Sequence, residues 1–196
     1  MNIYPLNHYI MAYAREDIIY LLRRLSALAK AEGITLEVCF YGGSCLMLAY
    51  GYEERQLTKD IDALFRPSDA AQALVRKIAS EEDLPEDWID TGLRQFLSPK
   101  GVTYLTQLPE LKKLSNLKIS FPTADYLIAM KLRASVRARF GYEGDLTDLR
   151  FLARKRGLRS LEEAQAILDR FFDDEVIPER AAQALQEVFN EDSQET

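Results

Sequence analysis

Hydrophobic residues recur along the first part of the chain at two spacings, which predict helices alternating with strands. Between residues 14 and 31 the apolar positions share one helical face: Ile18, Leu21, Leu22, Leu25 and Leu28. A run rich in aliphatic and aromatic residues at 34–41 predicts a strand, and the apolar segment from Cys45 to Tyr50 predicts a helix. Short strands are predicted at 102–105 and 117–121.

After residue 121 the pattern becomes helical, and helices are predicted at 122–139, at 146–156 and from Ser160 onward. Asp145 is the expected N-cap of the second of these helices. We therefore predict an α/β (α+β) fold, a small mixed sheet flanked by helices, with two parts. Residues 1–121 form an α/β core with an N-terminal helix, and residues 122–196 form a helical part packed on it.

Composition bounds the class of protein. With 196 residues, of which 47% are hydrophobic, the chain can bury a sizeable core. Its apolar stretches are shorter than a bilayer span and no basic segment with an apolar core begins it, so we expect a cytoplasmic protein that does not contact a membrane. In that compartment Cys39 and Cys45 are expected to be reduced core thiols.

The single histidine, His8, excludes whole classes of chemistry. A histidine-rich zinc site cannot be built, and a Ser-His-Asp hydrolase would depend on His8 in the N-terminal segment. Acid-base chemistry would fall to carboxylates, lysine or tyrosine. Phosphoryl transfer tolerates this, because positioning and charge stabilisation do most of its catalysis.

Charge is unevenly distributed along the helical part. Residues 131–159 contain nine basic and three acidic side chains, whereas residues 160–196 contain eleven acidic and two basic ones. The two segments could pair with each other, or the basic one could face a polyanion such as RNA. In a third interpretation, these charged side chains simply lie on solvent-exposed helix faces.

The candidate chemistry lies at a glycine turn followed by paired carboxylates. Gly42, Gly43 and Ser44 stand between the first strand and its helix, and Asp60 and Asp62 follow eighteen and twenty residues after Gly42. On a strand, Asp60 and Asp62 would point the same way, and two such oxygen donors can hold Mg²⁺ (or Mn²⁺), which takes its remaining ligands from water and substrate phosphates. An ordinary turn and an edge strand with solvated acids are the alternative.

Lys131 is a second candidate, since it is a lone charge in an otherwise apolar helix. The small residues near it, Ala124 and Ala134, leave room for the amine to extend toward an anion. We favour a phosphate as that anion, over an amine that reaches solvent.

The order of these elements resembles the nucleotidyltransferase superfamily, whose pattern is Gly-Gly or Gly-Ser, a helix, and then Asp-x-Asp on the next strand. The segments 41–44 and 55–62 carry that pattern. The chain is closer still to the bacterial AbiEii/MenT-type proteins, in which a helix bearing lysine precedes an Asp-x-x-Asp-Leu helix. Here Lys131 and the run from Asp145 through Asp148 to Leu149 match those features.

The resemblance implies transfer of a nucleotide from an NTP, ATP or another, to an acceptor. Asp60 and Asp62 would hold the metal, and Ser44 with the amides after Gly43 would contact phosphate oxygens. Lys131 would neutralise charge on the leaving group. Asp145 or Asp148 would position the acceptor, Lys131 or a metal-bound water. The acceptor would be tRNA or a protein, and the enzyme could be the toxin of a toxin-antitoxin pair with a cognate antitoxin or another neighbouring-gene protein as partner.

One departure from the family pattern keeps alternatives open. Many members place a third metal-binding carboxylate on a later strand, where this chain has Ser120. A one-metal site, a ligand supplied by Asp87 or Asp90, and an inactive relative that only binds nucleotide or protein are therefore all open. An antitoxin or scaffold that covers a basic partner with its acidic C-terminal helices is the remaining rival.

Overall fold

A computed structural model describes residues 12–100, 104–105, 111, 113–136 and 143–194. It is a mixed α/β structure with a helical C-terminal region, so the predicted fold class is confirmed. The strand order in the sheet is β3-β2-β1-β5-β4. The chain divides into two compact units, one of residues 1–91 and 108–119 and the other of residues 92–107 and 120–196.

Among its described residues, the first unit contains three helices and most of the sheet. Its elements are α1 (Arg15–Ala31), β1 (Leu36–Phe40), α2 (Gly42–Cys45), a π-helical turn (Leu46–Tyr50), β2 (Ile61–Arg66), α3 (Ser68–Glu82) and β3 (Ile89–Asp90). Strand β5 (Leu117–Pro122) begins in this unit. β1 and β2 are antiparallel, with Phe40 opposite Ala63, and β2 and β3 are parallel, with Asp62 opposite Asp90.

Hydrophobic periodicity explains why α1 forms where the sequence predicts it. Its buried face includes Ile18, Leu21, Leu22 and Leu25, and the backbone turns left-handed at Gly33 soon after the helix ends. α1 packs on α3, and its Arg24 pairs with Glu81 and Glu82 at the edge of that contact. Cys39 and Cys45 are buried thiols with no disulfide between them, as expected.

Four helices lie in the part of the second unit that the structure describes. Its elements are a 3₁₀ turn (Gly92–Phe96), β4 (Tyr104–Leu105), the end of β5, α4 (Ala124–Ala134), α5 (Gly144–Arg156), α6 (Leu161–Phe171) and α7 (Glu179–Gln194). β4 runs antiparallel to β5, with Leu105 opposite Phe121. The start of the predicted strand at 102–105 lies outside the described residues.

Two helix boundaries in this unit differ from the prediction. α4 ends at Ala134, five residues before the predicted end at Arg139, and residue 139 itself lies outside the described residues. Asp145 is not an N-cap, because α5 already begins at Gly144. Its carboxylate is buried and bonds to Lys131 instead. The expected cap at Ser160 is present, where the hydroxyl accepts from the Glu163 amide.

None of the helices in these described ranges combines the length and apolar character needed to cross a bilayer.

Candidate functional site

The turn between β1 and α2 brings the predicted glycine corner and the second predicted carboxylate together. Gly42 is left-handed (φ +53°), and a Cβ built on it would lie 1.9 Å from the Asp62 Oδ2. Tyr41 donates its amide to the Asp62 carbonyl at 2.9 Å, which ties this turn to β2. Only glycine therefore fits here, both for its backbone conformation and for the carboxylate that packs on it.

Arg55 occupies the other side of the same turn, and sequence reasoning did not single it out. A Cβ on Gly43 would lie 2.6 Å from the Cζ, Nε and Nη2 atoms of Arg55. Two side chains of the protein thus cover the two glycines, a carboxylate over Gly42 and a guanidinium over Gly43. The sequence placed Arg55 inside the matching segment, but nothing in its spacing showed that the segment folds back onto the turn.

Ser44 is fully buried, and its hydroxyl donates to the Tyr41 carbonyl at 3.0 Å. The hydroxyl proton is therefore used within the turn. A contact from this serine to a phosphate oxygen stays a prediction.

Asp60 and Asp62 differ in their surroundings. Asp62 lies in β2 and is half-buried, whereas Asp60 precedes the strand and is exposed. The Thr58 hydroxyl donates to the Asp60 carbonyl at 3.0 Å, which fixes the backbone just before the strand begins. Asp60 is close enough to the buried Tyr13 for its charge to help raise the pKa of that phenol, after burial and Asp87.

The donor set of this corner suits a hard cation that is only partly held by protein. Within the described ranges, no three histidine, cysteine or acidic side chains gather as a protein-only metal site requires. Mg²⁺ does not need such a cage, because it keeps several waters and takes ligands from substrate phosphates. Asp60 and Asp62 are the residues that would hold it. Asp90 is aligned with Asp62 on the neighbouring strand. That Asp90 supplies a further ligand to the metal stays a prediction.

Lys131, Asp145 and Asp148 meet in the second unit. The Lys131 amine lies 2.9 Å from the Asp145 Oδ1 and 2.7 Å from the Asp148 Oδ2. The lysine side chain is 14% exposed and the two aspartates 2% and 1% exposed. The predicted lysine and the predicted Asp-x-x-Asp pair therefore form one buried cluster with a formal charge of about −1. A phosphate as an additional partner of the amine stays a prediction.

The cluster fixes the protonation of the lysine. Burial alone would lower the pKa of Lys131, but the charges of Asp148 and Asp145 and their hydrogen bonds outweigh it and raise this pKa above its ordinary value of 10.5. The amine is therefore charged at neutral pH.

The basic residues of α5 pair with acids of α7. Arg150 binds Glu187 at 2.7 Å, Arg154 binds Glu191 at 2.5 Å, and Glu143 before α5 binds Arg180 at 2.7 Å. Each pair is separated by 37 residues, so the two helices run parallel and in a fixed register. Arg156 pairs with Asp125 and Arg133 with Glu175. Pairing between the basic and the acidic segment, one of the interpretations of the charge pattern, is thus observed for Arg133, Arg150, Arg154 and Arg180. Arg156 pairs instead with an acid that precedes both segments.

Some candidate residues cannot be placed. His8, Arg137 and Arg139 lie outside the described residues. Comparison with protein-family models, with curated proteins and with solved structures finds no match.

Proposed function

We propose that this chain is a Mg²⁺-dependent nucleotidyltransferase, which transfers a nucleotide from an NTP to an RNA or protein acceptor and releases pyrophosphate. The observation that carries the proposal is the packing of the Asp62 carboxylate on the Gly42 turn. A glycine corner and an Asp-x-Asp segment are each common. Their contact in three dimensions supports the interpretation that they form one site, because nothing but tertiary folding brings residues 42 and 62 together.

In the first unit Asp60 and Asp62 would hold Mg²⁺ (or Mn²⁺), which when bound polarises phosphoryl oxygens and offsets their charge. Asp62 is positioned by β2 and by its packing on Gly42. Asp60 is exposed, so a metal ion bound to it would remain open to further ligands from the substrate. In the second unit, Asp145 and Asp148 hold Lys131 charged and in place. That contact favours the role in which the aspartates position the lysine.

A nucleotide-binding module without turnover is the second candidate. The departure of the sequence from the family pattern favours this candidate, because Ser120 stands where many members of the resembled family have a third carboxylate. The scaffold interpretation is less well supported, since Glu187 and Glu191 of the acidic helix α7 already pair with arginines of this chain.

The experiment that tests the proposal is incubation of the protein with Mg²⁺ and each NTP, labelled at the α-phosphate, together with deacylated tRNA or a protein extract. We expect label to enter the acceptor with release of an equal amount of pyrophosphate. Binding of NTP without pyrophosphate release on either acceptor would support the binding module. A wild-type protein that binds no NTP would contradict both candidates. An enzyme of this kind, acting in the cytoplasm, fits the toxin of a toxin-antitoxin pair, and an antitoxin encoded beside it would be its partner.

For an RNA acceptor, the pairing of α5 with α7 leads to a specific prediction. Since Arg150 and Arg154 are neutralised by Glu187 and Glu191, we expect Glu187→Gln with Glu191→Gln to raise tRNA affinity about 3- to 10-fold at low salt and to steepen its dependence on salt. Gel-shift titrations at several salt concentrations measure both quantities.

The matched control is Glu162→Gln with Asp174→Asn, which removes the same charge from two exposed acids elsewhere in the second unit. An equal gain in tRNA affinity from the control would mean that net charge, and not the uncovered arginines, causes it. Absence of tRNA binding by all three proteins at low salt, with transfer onto protein intact, would leave a protein as the acceptor.

A further inference from the structure

The guanidinium of Arg55 lies flat on the backbone at Gly43. Its Cζ, Nε and Nη2 atoms are all 2.6 Å from the position that a Cβ of Gly43 would take. Equal distances to three atoms of a planar group mean that the face of the group, and not its edge, meets the glycine. The N–H donors lie in the plane of a guanidinium, so this contact with the glycine is packing and not a hydrogen bond.

The segment that carries Arg55 is held near both of its ends. Before it, Tyr52 is buried, and the Arg55 amide donates to the Tyr52 carbonyl at 3.2 Å. After it, Thr58 exchanges two backbone hydrogen bonds with Tyr13, at 2.7 and 3.0 Å. The side chain is thus half-buried on a segment with fixed anchors, which lowers the entropy that it loses when it binds a ligand.

We infer that Arg55 binds the polyphosphate of the NTP. The inference rests on the proposed function and names a further binding residue for it. Asp60 and Asp62 carry two negative charges, which a divalent cation only balances, so the charge of a triphosphate needs a cation supplied by the protein. Asp62 and Arg55 cover adjacent glycines, whose Cα atoms are about 3.8 Å apart. A guanidinium offers paired donors that match two phosphate oxygens.

Arg55 is a basic side chain that the first unit places on the glycine turn itself.

The test measures NTP affinity by calorimetry in the presence of Mg²⁺, using whichever of the four common NTPs binds wild type most tightly. We expect Arg55→Met to weaken binding about 10- to 100-fold, the range of a charge-assisted hydrogen bond, and Arg55→Lys to weaken it less. Arg76→Met removes an exposed arginine of α3 and should leave affinity within about twofold. The loss at Arg55 should shrink for the monophosphate of the same base, which a purely structural defect would not produce.

The failures of the two proposals are distinguishable. If wild type binds NTP and Asp60→Asn with Asp62→Asn removes that binding, but Arg55→Met behaves as Arg76→Met does, the assignment of Arg55 is wrong and the proposed function stands. If wild type binds none of the NTPs, the proposed function falls and the role of Arg55 with it.

A second variant tests the same inference in case the Arg55→Met protein does not fold. Gly43 is not among the glycines with positive φ, so alanine can adopt its backbone conformation, yet the added Cβ would force the guanidinium away. Gly43→Ala should therefore lower NTP affinity in wild type and cost little more in the Arg55→Met background. An unchanged affinity in Gly43→Ala, or an equal loss in both backgrounds, would contradict the inference.

Discussion

The Asp60→Asn, Asp62→Asn double variant is expected to lose the cooperation between Mg²⁺ and NTP. In wild type, Mg²⁺ should bind weakly alone and much more tightly with NTP, since two protein carboxylates leave most of its ligand shell to water and phosphates. Without both carboxylates, the gain in NTP affinity that Mg²⁺ provides should fall by at least about 100-fold. Calorimetric titration of NTP with and without Mg²⁺ measures that gain directly.

Stability should change little in this variant, because Asp60 is exposed and an asparagine at 62 keeps the shape of the side chain on Gly42. Asp69→Asn, which neutralises an exposed carboxylate of α3, is the control for loss of charge. An unchanged effect of Mg²⁺ on NTP affinity in a folded double variant would show that the metal is held by other residues.

Replacement of Lys131 by methionine is expected to destabilise the protein by about 3 to 5 kcal/mol, because it leaves the buried carboxylates of Asp145 and Asp148 without their shared counter-charge. Chemical denaturation of wild type and variant measures the difference. Lys155→Met removes an exposed lysine of α5 and should change the free energy of unfolding by less than about 0.5 kcal/mol. Adding Asp145→Asn to Lys131→Met should recover part of the loss, since it removes one of the uncompensated charges.

The same cluster predicts a pH dependence. The pKa of Lys131 is raised in the folded state, so its contribution to stability is fully present below the unfolded value near 10.5 and is lost as pH rises through the folded value. The difference in free energy of unfolding between wild type and Lys131→Met should therefore stay constant from neutral pH to about pH 10 and shrink above it. A difference that is small at pH 7, or that does not shrink under alkaline conditions, would contradict the ion cluster.

Local patterns predicted the elements well because they report on burial. The face of α1 from Ile18 to Leu25, the strand that ends at Phe40 and the cap at Ser160 are all set by residues within a few positions of one another. The meeting of Gly42 with Asp62 was also predictable, since the sequence places a turn at the end of one strand and the carboxylate at the start of its neighbour.

Side-chain partners were predicted less well because they depend on the path of the chain between elements. Arg55 reaches Gly43 only because residues 51–60 fold back, and spacing does not show that. For Lys131 the sequence favoured a phosphate, which stays a prediction. The fold gives the amine two aspartates, because Asp145 is inside α5 and not at its cap. The sequence also assigned the Ser44 hydroxyl to a phosphate. Its hydrogen bond to the Tyr41 carbonyl could not be foreseen, because that bond exists only in the folded turn.

The parallel arrangement of α5 and α7 has a consequence for the way the end of the chain opens. Both helices finish at the same end of the pair, where their unpaired carbonyls concentrate negative charge. α5 has Arg154, Lys155 and Arg156 in its last turn, whereas α7 has no basic residue in its own and carries Glu191 beside Arg154. The ion pair between Arg154 and Glu191 thus joins the last turns of the two helices. Amide hydrogens near the ends of α5 and α7 should therefore exchange as one cooperative unit, and an isolated α7 peptide should fray where the intact protein does not.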